Sequence, residues 1–239
     1  MAHEDGAAWN PGSLSLWPMF YREDSAMKRT RVLKVLIAFG LCVLLSGCVK
    51  TWSVTFNGAE DVVGWDILHM NHDNDNWSIS GKGLELDGYY AMGPYSFVTA
   101  DCSLTVVFEL HCDWSNKAYL SVELADGAEP SVDRLRLALV EAGDASAENF
   151  WVDDSSGLLK REYAPITALN RDGENKAEII KEGSNLTVKL NGVVLYNSTY
   201  MYSPGYVIPY LACYMEDSSA ATVYFKSVRV EYDGDMIAR

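Results

Sequence analysis

The feature that most constrains the fold is a period-two alternation of apolar and polar residues. In residues 103–111, the apolar side chains of Leu104, Val106, Phe108 and Leu110 occupy every second position. Successive side chains of a β-strand point to opposite faces, so this spacing predicts a strand with one face in a core. A helix would need apolar residues three and four positions apart.

The same alternation returns in short segments separated by turn residues. These are residues 119–124, 176–181, 186–190, 193–196 and 221–232. Asn191-Gly192 predicts a tight hairpin turn, because both residues accept a positive φ angle. In the last segment the alternation changes phase at Lys226-Ser227, which predicts a β-bulge. Residues 132–140 fit a helix and a strand, and we interpret them as a strand.

Many antiparallel strands with one apolar face each pack economically as two layers. The sequence therefore predicts an all-β fold, a two-sheet antiparallel sandwich formed by residues 49–239. Within this segment we find no internal repeat and no low-complexity linker, and its length fits one domain. Trp65 and Trp77 lie in strand-like runs and are assigned to the core.

The N-terminal 48 residues carry the signature of an exported chain. A basic segment begins at Met27 and precedes thirteen uncharged residues, 35–47. This run is shorter than the roughly 20 residues of a membrane-spanning helix and is typical of a secretory signal. The tetrapeptide at 45–48, LSGC, resembles the lipobox of bacterial lipoproteins. That resemblance implies that Cys48 is acylated, while an ordinary signal peptide with an incidental Cys48 is the alternative.

The predicted organisation has three parts. Residues 1–26 lack apolar periodicity and precede a second methionine, so we interpret them as a non-native extension. Residues 27–48 form the lipoprotein signal, and 49–239 form the domain. The lipid would anchor the domain to a membrane. Val49, which follows the cysteine and is not Asp, favours the outer membrane of a bacterial cell envelope, facing the periplasm or the cell surface.

The net charge limits the possible binding partners, and the positions of the cysteines limit the possible disulfides. The formal net charge of −14 disfavours nucleic acid, whose binding depends on Lys and Arg neutralising phosphates. Cys102 and Cys112 stand at the two ends of one predicted strand, too far apart for a disulfide. A pair with Cys213 stays open, and buried free thiols are the favoured interpretation.

Several motifs carry a family resemblance. Residues 56–58 (FNG), 64–65 (GW) and 83–88 (GLELDG) lie near the start, and residues 175–192 lie near the end. Together they resemble concanavalin A-like jelly-roll domains, and are most similar to the bacterial secreted family of 3-keto-disaccharide hydrolases. The resemblance implies a jelly-roll sandwich and activity on keto-glycosides. The family's Asn-Ser-Gly-like segment is replaced here by residues 115–118, SNKA.

Catalysis of glycoside cleavage uses two carboxyl groups about 5 to 9.5 Å apart. The Glu-x-Asp-x-x-Glu strand of related glucanases does not occur in the sequence. Glu109 with Asp113, and Glu123 with Asp126 and Glu129, are interpreted as charges on the solvent faces of strands. Under a hydrolase alternative, Glu109 and His111 would act as acid or base, because they share a strand face.

A metal site is the next candidate, in residues 69–76. Asp73 and Asp75 would supply oxygen ligands to Ca²⁺, and His69 with His72 would suit a transition metal. The segment lacks the downstream Gly and Glu of an EF-hand. We interpret it as a solvated loop, with one Ca²⁺ at the sandwich rim as the alternative.

Aromatic residues beside amides and carboxylates give the main functional hypothesis. Tyr95, Trp114, Asn116 and Trp151 stand in predicted loops and would bind a glycan or small saccharide, with the two tryptophans as platforms. Core packing is the alternative for each ring. The sequence thus predicts a lipid-anchored domain that binds carbohydrate without catalysis. A (keto-)glycoside hydrolase and an envelope scaffold that contacts other proteins are the alternatives.

Overall fold

The alternating segments form two antiparallel β-sheets in a computed structural model of the chain. The structure describes residues 49–69, 76–99, 101–112, 118–126, 134–141, 149–154, 157–162, 167–199, 206–215 and 221–239. Within these ranges there are seventeen strands and one short 3-10 helix, Ala59–Val62. The strands are β1 (Lys50–Thr55), β2 (Asp66–His69), β3 (Asn76–Ser80), β4 (Gly83–Asp87), β5 (Tyr89–Met92), β6 (Tyr95–Val98), β7 (Cys102–Cys112), β8 (Ala118–Asp126), β9 (Arg134–Glu141), β10 (Asn149–Asp154), β11 (Gly157–Glu162), β12 (Asp172–Glu182), β13 (Asn185–Leu190), β14 (Val193–Thr199), β15 (Val207–Met215), β16 (Ala221–Tyr232) and β17 (Asp235–Ala238).

The strands divide into two sheets. Sheet 1 has the order β14-β13-β12-β7-β16-β4-β3, with β1 also paired to β16. Sheet 2 has the order β11-β10-β9-β8-β15-β5-β2, with β6 joined to β15 and β17 joined to β6. The pairings of the described strands are antiparallel, for example β7 with β12 and β8 with β15. The predicted all-β, two-sheet antiparallel sandwich is confirmed.

One hydrophobic core lies between the sheets. Phe108 and Phe225 of sheet 1 and Leu124 and Leu137 of sheet 2 belong to the same buried cluster. Burying a side chain of this size contributes roughly 1.5 to 3 kcal/mol. The alternation in β7 therefore follows from its position, since every second residue faces this core.

The two tryptophans assigned to the core have different outcomes. Trp65 is 8% exposed and packs in the core, as predicted. The prediction for Trp77 is wrong, because its side chain is 39% exposed. Trp77 lies on β3, which ends the strand order of sheet 1, so the side chain has a neighbouring strand on one side only.

Local predictions from turn chemistry are confirmed. Asn191 and Gly192 have φ angles of 50° and 80° and join β13 to β14. The register of β16 against β7 shifts between Phe225 and Ser227, at the predicted bulge. The described part of the ambiguous segment, residues 134–140, lies in strand β9 and is not helical.

Two of the cysteines are buried free thiols. Cys102, at the start of β7, and Cys213, in β15, make no disulfide and are buried. Burial raises the pKa of the Cys102 thiol to about 12, so it stays protonated at neutral pH. Within the described part of the chain, no helix is long and apolar enough to cross a membrane.

Candidate functional site

The outer surface of sheet 2 is lined with aromatic and small side chains. The strand register places Trp151, Ala138, Ser121, Ala212 and Tyr90 in one row across β10, β9, β8, β15 and β5. Neighbouring strands lie about 4.8 Å apart, so the two aromatic residues are separated by roughly 19 Å. The three residues between them are small and buried. Short side chains at these positions project little above the plane of the sheet.

A second row runs beside the first and carries charge. It contains Asp153, Arg136, Glu123 and Tyr210, on β10, β9, β8 and β15. We call the surface formed by the two rows the aromatic face; its members are Trp151, Ala138, Ser121, Ala212, Tyr90, Asp153, Arg136, Glu123 and Tyr210.

Arg136 is the centre of the polar contacts on the aromatic face. Its Nε donates to Asp153 Oδ1 at 2.7 Å, and its Nη2 forms an ion pair with Asp153 Oδ2. Its Nη1 donates to the Tyr119 hydroxyl at 3.1 Å. This two-point contact with the carboxylate fixes the plane of the guanidinium group.

Most of the Arg136–Asp153 pair is removed from water. The two side chains are 15% and 16% exposed. Burial by itself lowers the pKa of Arg136, but the hydrogen bond with Asp153 and the nearby Glu123 outweigh it and raise the pKa above its ordinary value. Arg136 is therefore a fixed positive charge with its donors already oriented.

Glu123 lies beside this pair and is 1% exposed. Its Oε1 accepts a hydrogen bond of 2.6 Å from Ser121 Oγ. The sequence-based assignment of Glu123 to a solvent face is wrong. Arg136 and Tyr210 stand directly opposite on the two neighbouring strands and flank the glutamate.

The rings of the aromatic face contact one another and the arginine. The guanidinium carbon of Arg136 is 5.8 Å from the Trp151 ring centroid. The ring of Tyr119, which lies next to the aromatic face, has its centroid 5.8 Å from that of Trp151. Tyr90 and Tyr210 stack with centroids 5.0 Å apart and an interplanar angle of 20°. Trp151, Tyr90 and Tyr210 are half-buried. The face thus presents flat apolar surfaces beside oriented polar groups.

The outer surface of sheet 1 has a different composition. His111 Nε2 lies 2.7 Å from Glu109 Oε1, and His111 Nδ1 lies 2.9 Å from Asp172 Oδ1. Lys226 Nζ is 2.6 Å from Glu109 Oε2. With Tyr224, whose ring centroid lies 6.3 Å from that of His111, these residues form what we call the charged face. The prediction that Glu109 and His111 share a strand face is confirmed.

On the charged face, the carboxylates of Glu109 and Asp172 are paired with the basic groups of His111 and Lys226. Hydrogen bonds with Lys226 and His111 lower the pKa of Glu109. Hydrogen bonds with Asp172 and Glu109 raise the pKa of His111. A general acid in glycoside cleavage needs a carboxyl group with a raised pKa. The arrangement is instead that of ion pairs linking β7, β12 and β16.

The remaining predicted site residues lie elsewhere or beyond the described ranges. Tyr95 is in strand β6 and not in a loop; its ring lies edge-on to Trp52, at 5.7 Å, against the core and therefore on the inner side of sheet 2. Several predicted positions lie outside the described residues: Cys48, Asp73, Asp75, Trp114 and Asn116. Among the described residues, no group of three or more His, Cys, Asp or Glu could hold a metal ion.

Comparison with known proteins gives structural likeness without sequence likeness. No protein-family model matches the chain. The search of curated proteins likewise found no match. Among solved structures, a Crh5 transglycosylase in complex with NAG has a TM-score of 0.56 at 15% identity, covering 76% of this chain and 84% of that one.

Two further structures have the same architecture. The CBM2 module of the evolved Dit of Lactobacillus casei BL23 phage J-1 has a TM-score of 0.58 at 14% identity, over 77% of this chain and 96% of that one. A Bacillus licheniformis β-glucanase has a TM-score of 0.54 at 11% identity, over 75% and 97%. The fold is the concanavalin A-like jelly roll. At these identities the likeness concerns the fold of the jelly roll alone.

Sequence reasoning named Trp151, but placed it in a loop, whereas it lies in strand β10. It missed the polar centre of the aromatic face. Glu123 and Arg136 carry opposite charges on consecutive strands, and Ser121 and Ala138 are small residues two positions away on the same face. This combination of residues indicates a polar cluster on one face of the sheet. It can be recognised only when the register of β8 against β9 is known, and the sequence alone does not give that register.

Proposed function

We propose that this jelly-roll domain binds carbohydrate on the aromatic face without hydrolysing it, as a lipid-anchored protein outside the cytoplasm. The observation that carries the proposal is the pairing of two rows: Trp151 and Tyr90 at the ends of one, and the Arg136–Asp153 pair with Tyr210 in the other. No metal ion or cofactor enters the proposal.

The chemistry of a sugar ring matches these two rows. A pyranose has apolar C–H faces and a rim of hydroxyl groups, so it stacks on an aromatic ring while its hydroxyls bond to charged groups nearby. Trp151 would stack, since its ring is half-buried and held beside Arg136. Arg136 and Asp153 would donate to and accept from hydroxyls, and their mutual contact holds them in position before a ligand arrives.

Neighbours in structure support the carbohydrate assignment. The Crh5 transglycosylase was solved with NAG, and another similar structure is the carbohydrate recognition domain of Emp46p, at a TM-score of 0.50 and 13% identity. Both share only the fold with this chain. The sugar bound here is therefore a question for experiment.

The experiment is a glycan-array screen of the chain from Val49 onwards, made without lipid, in the presence and absence of a chelator. We expect binding that Trp151→Ala weakens up to about tenfold, because stacking on an aromatic ring contributes about 0.5 to 1.5 kcal/mol. Tyr224→Ala, on the charged face, is the matched control and should bind as the parent does. Loss of binding with chelator would add a calcium site. An array without any binding would contradict the proposal.

A keto-glycoside hydrolase is the second candidate, favoured by the 2.7 Å contact between Glu109 and His111 and by the family resemblance of the sequence. Incubation with a 3-keto disaccharide tests it by product release. Release that Glu109→Gln abolishes, and that Trp151→Ala leaves intact, would move the function from the aromatic face to the charged face.

The lipid anchor is a separate part of the proposal. The LSGC motif ending at Cys48 supports it, together with the basic and apolar segments that precede the motif. Mass spectrometry of the mature N-terminus, after expression in a bacterium that processes lipoproteins, should show an acylated Cys48. A mature chain that keeps an unmodified cysteine would contradict the anchor and leave the sugar site unaffected.

A further inference from the structure

Two Asn-Gly dipeptides occur in the sequence, Asn57-Gly58 and Asn191-Gly192. In such a dipeptide the glycine nitrogen can attack the side-chain carbon Cγ of the asparagine. The new N–C bond closes a succinimide ring, and the side-chain nitrogen takes up the glycine proton and leaves as ammonia. Water then opens the ring to aspartate or isoaspartate. Glycine permits this attack because it has no Cβ to obstruct it, so the local sequence makes both asparagines candidates for modification.

The fold holds the side-chain amide of Asn191, which is the group that is attacked. Its Nδ2 donates to the Ala168 carbonyl oxygen at 2.7 Å and to Asn175 Oδ1 at 2.8 Å. Its Oδ1 accepts from the Lys176 N–H at 2.7 Å. Asn175 is 1% exposed, so part of this network is removed from water. Turning the amide toward the Gly192 nitrogen would break these hydrogen bonds, which raises the barrier to attack.

The side-chain amide of Asn57 is held less firmly. Asn57 is exposed, and among the described residues its side chain makes one hydrogen bond, from Nδ2 to the Thr55 carbonyl oxygen at 3.4 Å. At this site the fold holds the attacking group instead. The Gly58 N–H donates to Asp61 Oδ2 at 3.0 Å, and the Asn57 N–H donates to the same oxygen at 2.8 Å. The Gly58 nitrogen can attack only after its bond to Asp61 is broken.

Negative charge around Gly58 opposes the same step. The amide nitrogen becomes a strong nucleophile when it loses its proton, and that form is an anion. The Asp61 carboxylate is in contact with this nitrogen. Glu60 lies close as well, since an added Cβ on Gly58 would be 2.8 Å from Glu60 Oε2. Like charges at this range raise the free energy of the anion, so Asp61 slows the attack through its charge and through its hydrogen bond.

Modification at residue 57 would disturb the end of β1. Phe56, which precedes it, is 1% exposed, and its ring centroid lies 5.3 Å from that of Trp65. The Phe56 N–H donates to the Lys226 carbonyl oxygen at 2.8 Å. Aspartate would add a negative charge beside Asp61, and isoaspartate would lengthen the backbone by one carbon atom next to this core residue.

We propose that Asn57 is a modification site whose conversion to aspartate and isoaspartate is restrained by Asp61, while Asn191 is protected by its hydrogen bonds. The restraint at Asn57 is one half-buried carboxylate, and the short helix Ala59–Val62 that carries it contains no buried residue. Local opening of this segment frees the Gly58 N–H without unfolding the sandwich. Asn57 therefore converts in the folded chain, whereas Asn191 converts once the chain unfolds.

Peptide mapping of the full-length chain by mass spectrometry measures both sites in one digest. The chain is incubated in neutral buffer at physiological temperature, once folded and once in urea. In urea both sites should convert at similar rates, because both are Asn-Gly. In the folded chain Asn57 should convert at least about tenfold faster than Asn191, a difference of about 1.4 kcal/mol in the barrier. Equal rates in the folded chain would overturn the proposal, and so would a comparable difference that persists in urea.

The variant Asp61→Asn tests the restraint itself. It keeps a side-chain oxygen that can accept the Gly58 N–H, but it removes the negative charge. Conversion at Asn57 should rise about fivefold, the effect of one unit charge about 4 Å away in water, and conversion at Asn191 should stay the same. Asp235→Asn, which removes an exposed carboxylate elsewhere, is the control and should change neither rate. An unchanged or slower conversion at Asn57 in Asp61→Asn would overturn the role of Asp61.

Discussion

The two outer faces of this sandwich both pair opposite charges, but they differ in how far those charges are removed from water. On the aromatic face, Arg136, Asp153 and Glu123 are 15%, 16% and 1% exposed, and half-buried rings flank them. On the charged face, Glu109 and His111 are 29% and 44% exposed. Both faces hold opposite charges on neighbouring strands, but only the first removes most of its charges from water.

This difference in exposure determines whether the charges of each face are suited to binding a ligand. In an exposed ion pair, each charged group replaces contacts with water by contacts with its partner, so the net gain in free energy is small. The groups of the charged face therefore need no ligand as a further partner. Buried pairs cost desolvation energy and persist where the geometry is good. A domain that keeps such a pair beside Trp151 and Tyr210 has a preorganised polar group in an apolar surface, the combination that small-molecule sites share.

The largest expected effect is on stability, from Arg136→Ala. Removing the guanidinium leaves the Asp153 and Glu123 carboxylates without their positive neighbour in a buried position, which costs about 3 kcal/mol of unfolding free energy. Lys226→Ala, the matched change on the charged face, should cost less than about 1 kcal/mol. Urea denaturation of the two variants measures both values.

A double variant sharpens this first test. Asp153→Asn combined with Arg136→Met replaces the pair by a neutral pair of similar size. It should recover part of the loss, because the Asp153 charge is removed together with its partner and only the Glu123 carboxylate stays without its positive neighbour. Equal small costs for Arg136→Ala and Lys226→Ala would show that the two faces do not differ in the way described.

The sequence predicted one of these faces better than the other, for a physical reason. Residues 103–111 alternate strictly, and Asn191-Gly192 pins the hairpin of β13 and β14, so the strands and the shared face of Glu109 and His111 followed from local rules. Period and turn chemistry are encoded within a few residues.

The aromatic face depends on information that no short segment contains. Glu123 alternates with Val122 and Leu124 and therefore has the pattern of a solvent-facing residue. It is nevertheless 1% exposed, and it stands between Arg136 and Tyr210 on the two flanking strands. Both pairings join residues 13 or more positions apart, so their register is set by the packed sandwich and not by a two-residue turn.

The second expected effect is on ligand binding, from Tyr210→Ala. Tyr210 stacks on Tyr90 at 5.0 Å, so its loss removes one ring and frees the other. We expect about tenfold weaker binding of any glycan found on the array, or roughly 1.4 kcal/mol. Trp77→Ala, an exposed ring at the edge of sheet 1, is the control. Titration calorimetry measures both, and an equal loss in the control would contradict a site on the aromatic face.

The smallest expected effect is a pH-dependent one on the charged face, from His111→Gln. The pKa of His111 is raised in the folded chain, so its contribution is complete below its ordinary value of 6.5 and is lost as pH rises through the raised value. The pKa of Glu109 is lowered, so its contribution is complete above its ordinary value of 4.5 and is lost as pH falls through the lowered value. The two contributions overlap fully between pH 4.5 and 6.5.

The difference in unfolding free energy between the parent and His111→Gln should therefore be largest near pH 5.5. It should stay below about 1 kcal/mol, because both groups contact water, and it should shrink as pH rises through the raised pKa of His111. Thermal unfolding from pH 4 to 9 measures it. A difference that grows with pH would contradict the ion-pair assignment. It would mean that His111 stabilises the three strands in its neutral form. The charged face would then not depend on exposed ion pairs, which is the property that distinguishes it from the aromatic face.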